Sequence, residues 1–148
     1  MEKKYDRTFI AIDYGERRIG LAKSDPMGLI ATALATLDVT STKQALEKIA
    51  AIIDAYQPNG LVIGYPLLAS GDRSDKCTEV DGFIEKLKEF YDGPIHKVDE
   101  SHSTTEAADI VHAHGQKVGK DKKRLDRLAA VVILQRFLNE ASPPKAED

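Results

Sequence analysis

The chain has 148 residues, is 42% hydrophobic and 30% charged, and carries a net charge of −3; these are the proportions of a soluble globular protein with one core, so a single domain over residues 1–148 is expected. Its one cysteine, Cys77, excludes an internal disulfide and a multi-cysteine zinc site. No apolar run approaches the roughly 20 residues of a membrane span, and Met1–Arg7 has neither the apolar stretch nor the cleavage site of a secretory signal, so the expectation is a cytoplasmic protein with no membrane role.

In chain order, residues 8–13, 17–23 and 29–36 read as strands. They are separated only by Tyr14-Gly15-Glu16 and Asp25-Pro26-Met27-Gly28, and gaps this short make antiparallel neighbours. After Asp38 the period becomes helical: Ser41 with Gln44 fits a capping box, and Ala45, Leu46, Ile49, Ile52, Ile53 and Tyr56 form one stripe. Pro58 and Gly60 stop it, and Leu61-Val62-Ile63-Gly64 is a short buried strand of the parallel type. A second helix is predicted from Asp75 to Tyr91, with Val80, Phe83, Ile84, Leu87 and Phe90 on one face. Gly93-Pro94 ends it, and Ile95–Asp99 is the next strand. Ser103 and Glu106 cap a further helix ending at Gly115, and residues 122–140 form the last one. The ordered core is expected over about 8–139, with a polar tail over 142–148. The order βββ-α-β-α-β-αα implies an α/β fold, a mixed sheet with helices on both faces.

Three acidic sites carry the chemistry. Asp13 ends the first strand, Asp99-Glu100 ends the last, and Asp126 lies near the start of the last helix, where the macrodipole favours an anion. Taken alone, Asp13 reads equally as a turn cap beside Gly15. Asp126 could pair with Lys122 or Lys123, but its neighbours at i+4, i+7 and i+11 are Ala130, Ile133 and Phe137, so its face should point into the fold. Sites in open α/β sheets form at the carboxyl ends of strands, and three carboxylates gathered there repel one another unless cations intervene. Oxygen ligands without His or Cys select Mg²⁺ or Mn²⁺, and such a site suits hydrolysis of a phosphodiester. The four histidines, His96, His102, His112 and His114, show no metalloprotease spacing; His102 reads as a loop residue. No dinucleotide loop or Walker lysine motif is present. Residues 116–127 hold Lys117, Lys120, Lys122, Lys123, Arg124 and Arg127 against Asp121 and Asp126. This local positive run beside the acidic site is a candidate phosphate-backbone contact, with Arg17 and Arg18 of the first turn as further candidates.

The stretch Asp13-Tyr14-Gly15-Glu16-Arg17-Arg18-Ile19-Gly20-Leu21-Ala22-Lys23-Ser24-Asp25 closely resembles the opening motif of the YqgF family, also called RuvX, of RuvC-like Holliday junction resolvases. Leu61–Leu67 with Gly71 resembles its second motif, and Asp99-Glu100 with Ser103-Thr104 and Glu106-Ala107 its third. Leu125–Ala130 with Ile133–Leu138 resembles its C-terminal helix. The resemblance implies an RNase H-like fold, a Mg²⁺- or Mn²⁺-dependent nuclease with Asp13, Glu100 (or Asp99 beside it) and Asp126 as catalytic acids, all four being candidate metal ligands with the main one of Asp99 and Glu100 left open, and a role in processing the 5′ end of the small-subunit ribosomal RNA precursor. Its older label implies four-way DNA junctions instead. One departure stands out: Ser101 and His102 follow Asp99-Glu100 where the family has arginine and an apolar residue, and serine cannot reproduce a two-pronged phosphate contact. A catalytically silent RNA-binding or assembly module is therefore a third reading. An actin-like nucleotide-binding domain opens with a similar turn, but needs two such halves. Structured RNA is expected over DNA junctions because no long exposed apolar stripe supports the tight dimer that paired cuts require; a monomer or weak homodimer follows.

Overall fold

The computed structural model describes residues 7–100 and 122–140. The helix expected from Ser103 to Gly115, the Ser101-His102 departure, Lys117, Lys120 and the tail over 142–148 lie outside the described residues. Strands β1 (Phe9–Asp13), β2 (Arg18–Ser24) and β3 (Ala31–Asp38) are followed by α1 (Thr42–Tyr56), β4 (Gly60–Tyr65), α2 (Asp75–Leu87), β5 (Ile95–Asp99) and α3 (Lys122–Glu140). The sheet runs β3-β2-β1-β4-β5. β2 pairs antiparallel with β1 and β3, while β1–β4 and β4–β5 are parallel. This is the expected mixed five-stranded α/β sheet. No helix among the described residues is long and apolar enough to cross a membrane.

Alternation along the strands sorts side chains into two cores. Ile10 and Ile12 of β1, Ile19 and Leu21 of β2, and Leu61 and Ile63 of β4 pack with Ala45, Ile49 and Ile53 of α1 and Val80, Phe83, Ile84 and Leu87 of α2. Phe9, Ala11, Ala22, Val62 and Val98 face the other way, against Ala130, Ile133, Leu134 and Leu138 of α3. Burying each of the three large α3 side chains contributes roughly 1.5–3 kcal/mol. α1 starts as predicted: the Ser41 hydroxyl accepts from the Gln44 N–H at 3.1 Å, while the Gln44 side chain reaches back to the Thr40 N–H at 2.7 Å.

Several strand ends shift by one or two residues from the sequence reading, and two boundary shifts, one of them in a helix, have a visible cause. α2 ends at Leu87 rather than Tyr91. Its last turn tightens through Glu89 N–H to Lys86 O and Phe90 N–H to Leu87 O, which exposes Phe90 and turns Tyr91 inward, where its hydroxyl donates to Pro58 O at 3.0 Å. β3 starts at Ala31 rather than residue 29 because the Asp25 carboxylate accepts the N–H groups of Met27, Leu29 and Ile30. Those bonds hold residues 25–30 in a loop, which leaves Met27, Leu29 and Ile30 exposed at its tip.

The face under α3 is floored by small residues, and two of them are glycines. A β-carbon on Gly20 would overlap the backbone carbonyl of Asp126, whereas one on Gly64 would meet the Ile133 Cδ1 at 2.7 Å. Backbone cannot rotate away and a side-chain tip can. Gly20→Ala is therefore expected to destabilise the fold by about 1–3 kcal/mol, the range for overpacking, and Gly64→Ala by less. Urea unfolding of the two variants checks the order; equal losses would mean that α3 is not held against β2 at Gly20.

Candidate active site

Phe9 and Ala11 face α3, so Asp13, two residues further along β1, continues on that face at the strand's carboxyl end. Its register partner on β2 is Gly20, the residue whose missing side chain admits Asp126. On β5 the same alternation separates the two acids that the sequence left undecided. Val98 belongs to the α3 core, which sends Asp99 to the opposite face and returns Glu100 to the α3 side. Glu100 extends the β4–β5 pairing by donating its N–H to Tyr65 O at 3.1 Å, and its carboxyl group lies over Gly64. Asp99 is exposed and does not line the cavity that the other three acids share. The period of two between neighbouring strand residues decides this.

Asp126 stands one turn into α3, beyond its first turn. The helix face that carries it is inward, as expected, with Ala130 and Ile133 fully buried and Phe137 partly so. Its partner is Arg18 of β2, whose Nε donates to Oδ2 at 2.7 Å. Asp13, Glu100, Asp126 and Arg18 line one open cavity of about 510 Å³, together with the Tyr14–Arg17 turn and Lys76.

The electrostatics of this cavity are those of crowded acids. The Asp13 carboxyl is pushed well above the ordinary carboxylate range, first by burial and then by the Glu100 charge, a hydrogen bond with Glu100 and the Asp126 charge. Glu100 is also raised, chiefly by burial and against the lowering effect of its hydrogen bond with Asp13 and the charge of Lys76. Two ionised carboxyls in contact repel strongly, which favours a proton between them. Arg18 is raised by its hydrogen bond and charge contact with Asp126.

Lys76 escaped the sequence reading. It lies in the first turn of α2, where the helix macrodipole disfavours a cation; that misplaced charge was the one available signal. α2 is tied to the sheet by Asp81, which accepts from Lys97 at 2.9 Å and from the Tyr65 hydroxyl at 3.0 Å, and pairs with Arg73 at 3.0 Å. Of the candidate phosphate contacts, Arg17 and Arg18 line the cavity. Lys122, Lys123 and Arg124 fall in the opening turn of α3. Arg127 points to β3, with Nη1 3.5 Å from the Thr36 hydroxyl.

The donor set fits a hard cation: two carboxyls in contact favour a proton between them, which a divalent ion could replace, and a third carboxylate lines the same cavity. Among the described residues no group of three His, Cys, Asp or Glu side chains stands in ligating geometry; Asp126 is engaged by Arg18.

Residues 7–140 match the model of the RuvX family, described as Holliday junction resolvase. A "Putative pre-16S rRNA nuclease" of Roseiflexus sp. (strain RS-1) is 38% identical over 130 residues, which cover 88% of this chain and 92% of the relative. Two solved structures share the fold at low identity. RuvC of T. thermophilus, in complex with a Holliday junction substrate, has a TM-score of 0.54 at 14% identity and covers 93% of this chain and 98% of its own. The Fowlpox virus resolvase, complexed with Holliday junction DNA, has a TM-score of 0.58 at 12% identity, covering 90% and 98%. The RuvC likeness makes the α/β sheet an RNase H-like one, as expected from the sequence.

The raised carboxyls set a pH dependence with a definite sign. Above the unfolded carboxylate range, near pH 4, and below the raised folded values, the unfolded chain binds fewer protons than the folded one, so stability falls as pH rises. Asp13→Asn removes the crowding. In EDTA the variant should match the parent near pH 4 and melt progressively higher than it toward pH 8. A melting difference that is constant with pH, or of opposite sign, would place Asp13 outside a like-charge pair.

Proposed function

The chain belongs to the RuvX family, and on that premise we propose that it hydrolyses phosphodiester bonds in the 5′ region of the small-subunit ribosomal RNA precursor, with Mg²⁺ or Mn²⁺ and in the cytoplasm. The observation that carries the reading is the Asp13–Glu100 contact beside Asp126 in one open cavity. The RNA substrate rests on the relatives that share most of the chain's length and bear that name. A monomer or weak dimer suffices for it, since trimming an end needs one site.

Asp13, Glu100 and Asp126 would hold the cation. A divalent ion bound there lowers the pKa of an attacking water and neutralises charge on the phosphate. Carboxyls must be ionised to hold a cation, so affinity for one at Asp13 and Glu100 would rise with pH through their raised range. Asp126 would be the third carboxylate of that set; it is held by Arg18, whose guanidinium on β2 lines the same cavity and is suited to a two-pronged contact with phosphate oxygens. Asp99 has no part in this set, and the basic residues Lys117, Lys120, Lys122, Lys123, Arg124 and Arg127 supply attraction to the backbone rather than chemistry.

A DNA junction is the second reading, favoured by the family's description and by the fold it shares with junction resolvases. It requires two sites related by a symmetric dimer. Cleavage assays with Mn²⁺ on a pre-16S leader RNA and a four-way DNA junction separate the two. The leader should be cut and the junction left whole, by protein that scatters light as a monomer at nanomolar concentration; symmetric junction cuts by a tight dimer reverse the assignment. Asp13→Asn and Glu100→Gln should each reduce cleavage to the level without metal, with the fold intact by circular dichroism. Cleavage by either variant at the parent rate removes these acids from the site. Neutralising Lys122, Lys123 and Arg124 together should flatten the salt dependence of RNA binding by roughly 0.7 in log–log slope for each phosphate no longer neutralised, and an unchanged slope returns them to a solvated helix end.

A further inference from the structure

Among the described residues three cations line the cavity, and they differ in what they face. Arg18 is engaged by Asp126. Arg17 is exposed. Lys76 is exposed at the start of α2, makes no ion pair with another described residue, and its charge acts on both Asp13 and Glu100. It reaches the cavity from the helix layer opposite α3, so the acids receive Asp126 from one side of the sheet edge and Lys76 from the other. A cation in the first turn of a helix sits against the macrodipole. Ser74, the N-cap, gives its hydroxyl to Pro66 O instead of capping, which leaves the first-turn N–H groups adding positive potential beside Lys76. The turn is anchored, since Cys77 is buried against the β4–α2 loop and Asp81 clamps α2 to β4 and β5.

We propose that Lys76 binds the scissile phosphate from the α2 side of the cavity and positions it against Asp13 and Glu100. In the free protein the ammonium feels the charge of the crowded carboxylates without pairing with them; with a cation held by those carboxylates, a non-bridging phosphate oxygen would be its partner. Lysine suits this role as a compact charge on a flexible stem. It also supplies a phosphate contact from α2 in a chain that has Ser101 after its Asp-Glu pair. The inference rests on the phosphodiesterase reading above.

This role predicts opposite effects on two ligands. Lys76→Gln should tighten the binding of Mn²⁺ alone, measured by water-proton relaxation, because a repelling charge has left the acid pair. It should also lower the log–log salt slope for a pre-16S leader RNA by about 0.7, and reduce kcat/KM for Mn²⁺-dependent cleavage at least about tenfold, the effect of one charge-assisted contact. Lys76→Arg should restore the slope. A residue that merely supported the fold would weaken Mn²⁺ and RNA together. Joint weakening, an unchanged slope, or no rescue by arginine overturns the proposal. If the parent protein cleaves neither RNA nor a DNA junction while the slope still falls in Lys76→Gln, the phosphodiesterase reading fails and the phosphate contact stands; cleavage unaffected by Lys76→Gln is the reverse.

Discussion

A side chain at Gly20 would begin inside the carbonyl of Asp126, and this single close approach of helix to strand arranges the rest of the site. β2 pairs Gly20 with Asp13, so the gap left by hydrogen in place of a β-carbon opens beside the buried acid. α3 occupies it with its own acid. Gly64 does the same service one strand away, leaving room for both Ile133 and the Glu100 carboxyl. Three acids from three distant segments line one cavity, and two positions on the sheet face beneath them carry no side chain. Ala11 and Ala22 continue that shallow floor, and Ile133, Leu134 and Leu138 press the helix onto it.

The fold supplies this grip in apolar burial and spends part of it on repulsion. Asp13 and Glu100 are held in contact in partly buried positions, where the charge of Asp126 adds to the crowding on Asp13 and the charge of Lys76 opposes it on both. Such an arrangement is least stable at the pH where the site would bind a cation most readily, and it is stabilised by anything that binds between the acids. Stability and ligand affinity are linked through the same two carboxyl groups.

Around the acids the cations are graded by how firmly they are held. Arg18 lies along β2 with a short bond to Asp126; Lys76 is exposed at the head of α2, with no ion pair among the described residues; Arg127 is turned to β3. The Asp81 cluster with Tyr65, Arg73 and Lys97 has no place in the cavity, yet it ties α2 to β4 and β5 from the outside. Its carboxyl is held below the ordinary range, first by the hydrogen bond from Lys97. The two acidic clusters thus lie in opposite regimes: one compensated and structural, the other under-compensated and available.

Much of this was legible in the chain itself. Period-two and period-3.6 patterns with turn residues between them set the five strands, the helices and their order, because burial of one face or two leaves that imprint locally. Asp126 was readable as an acid on an inward-facing position by the same logic, and Asp13 as an acid at the carboxyl end of a strand. Local patterns could not say where α2 stops, since Tyr91 turns inward to bond Pro58 far away in sequence, nor that the Asp25 carboxylate would hold back the start of β3. The choice between Asp99 and Glu100 needed the register of β5 against α3, which is a matter of pairing across the sheet. Arg18 as the partner of Asp126, and Lys76 as the cation over the acid pair, needed it too. Each joins residues more than twenty positions apart, and only packing determines which distant side chains meet.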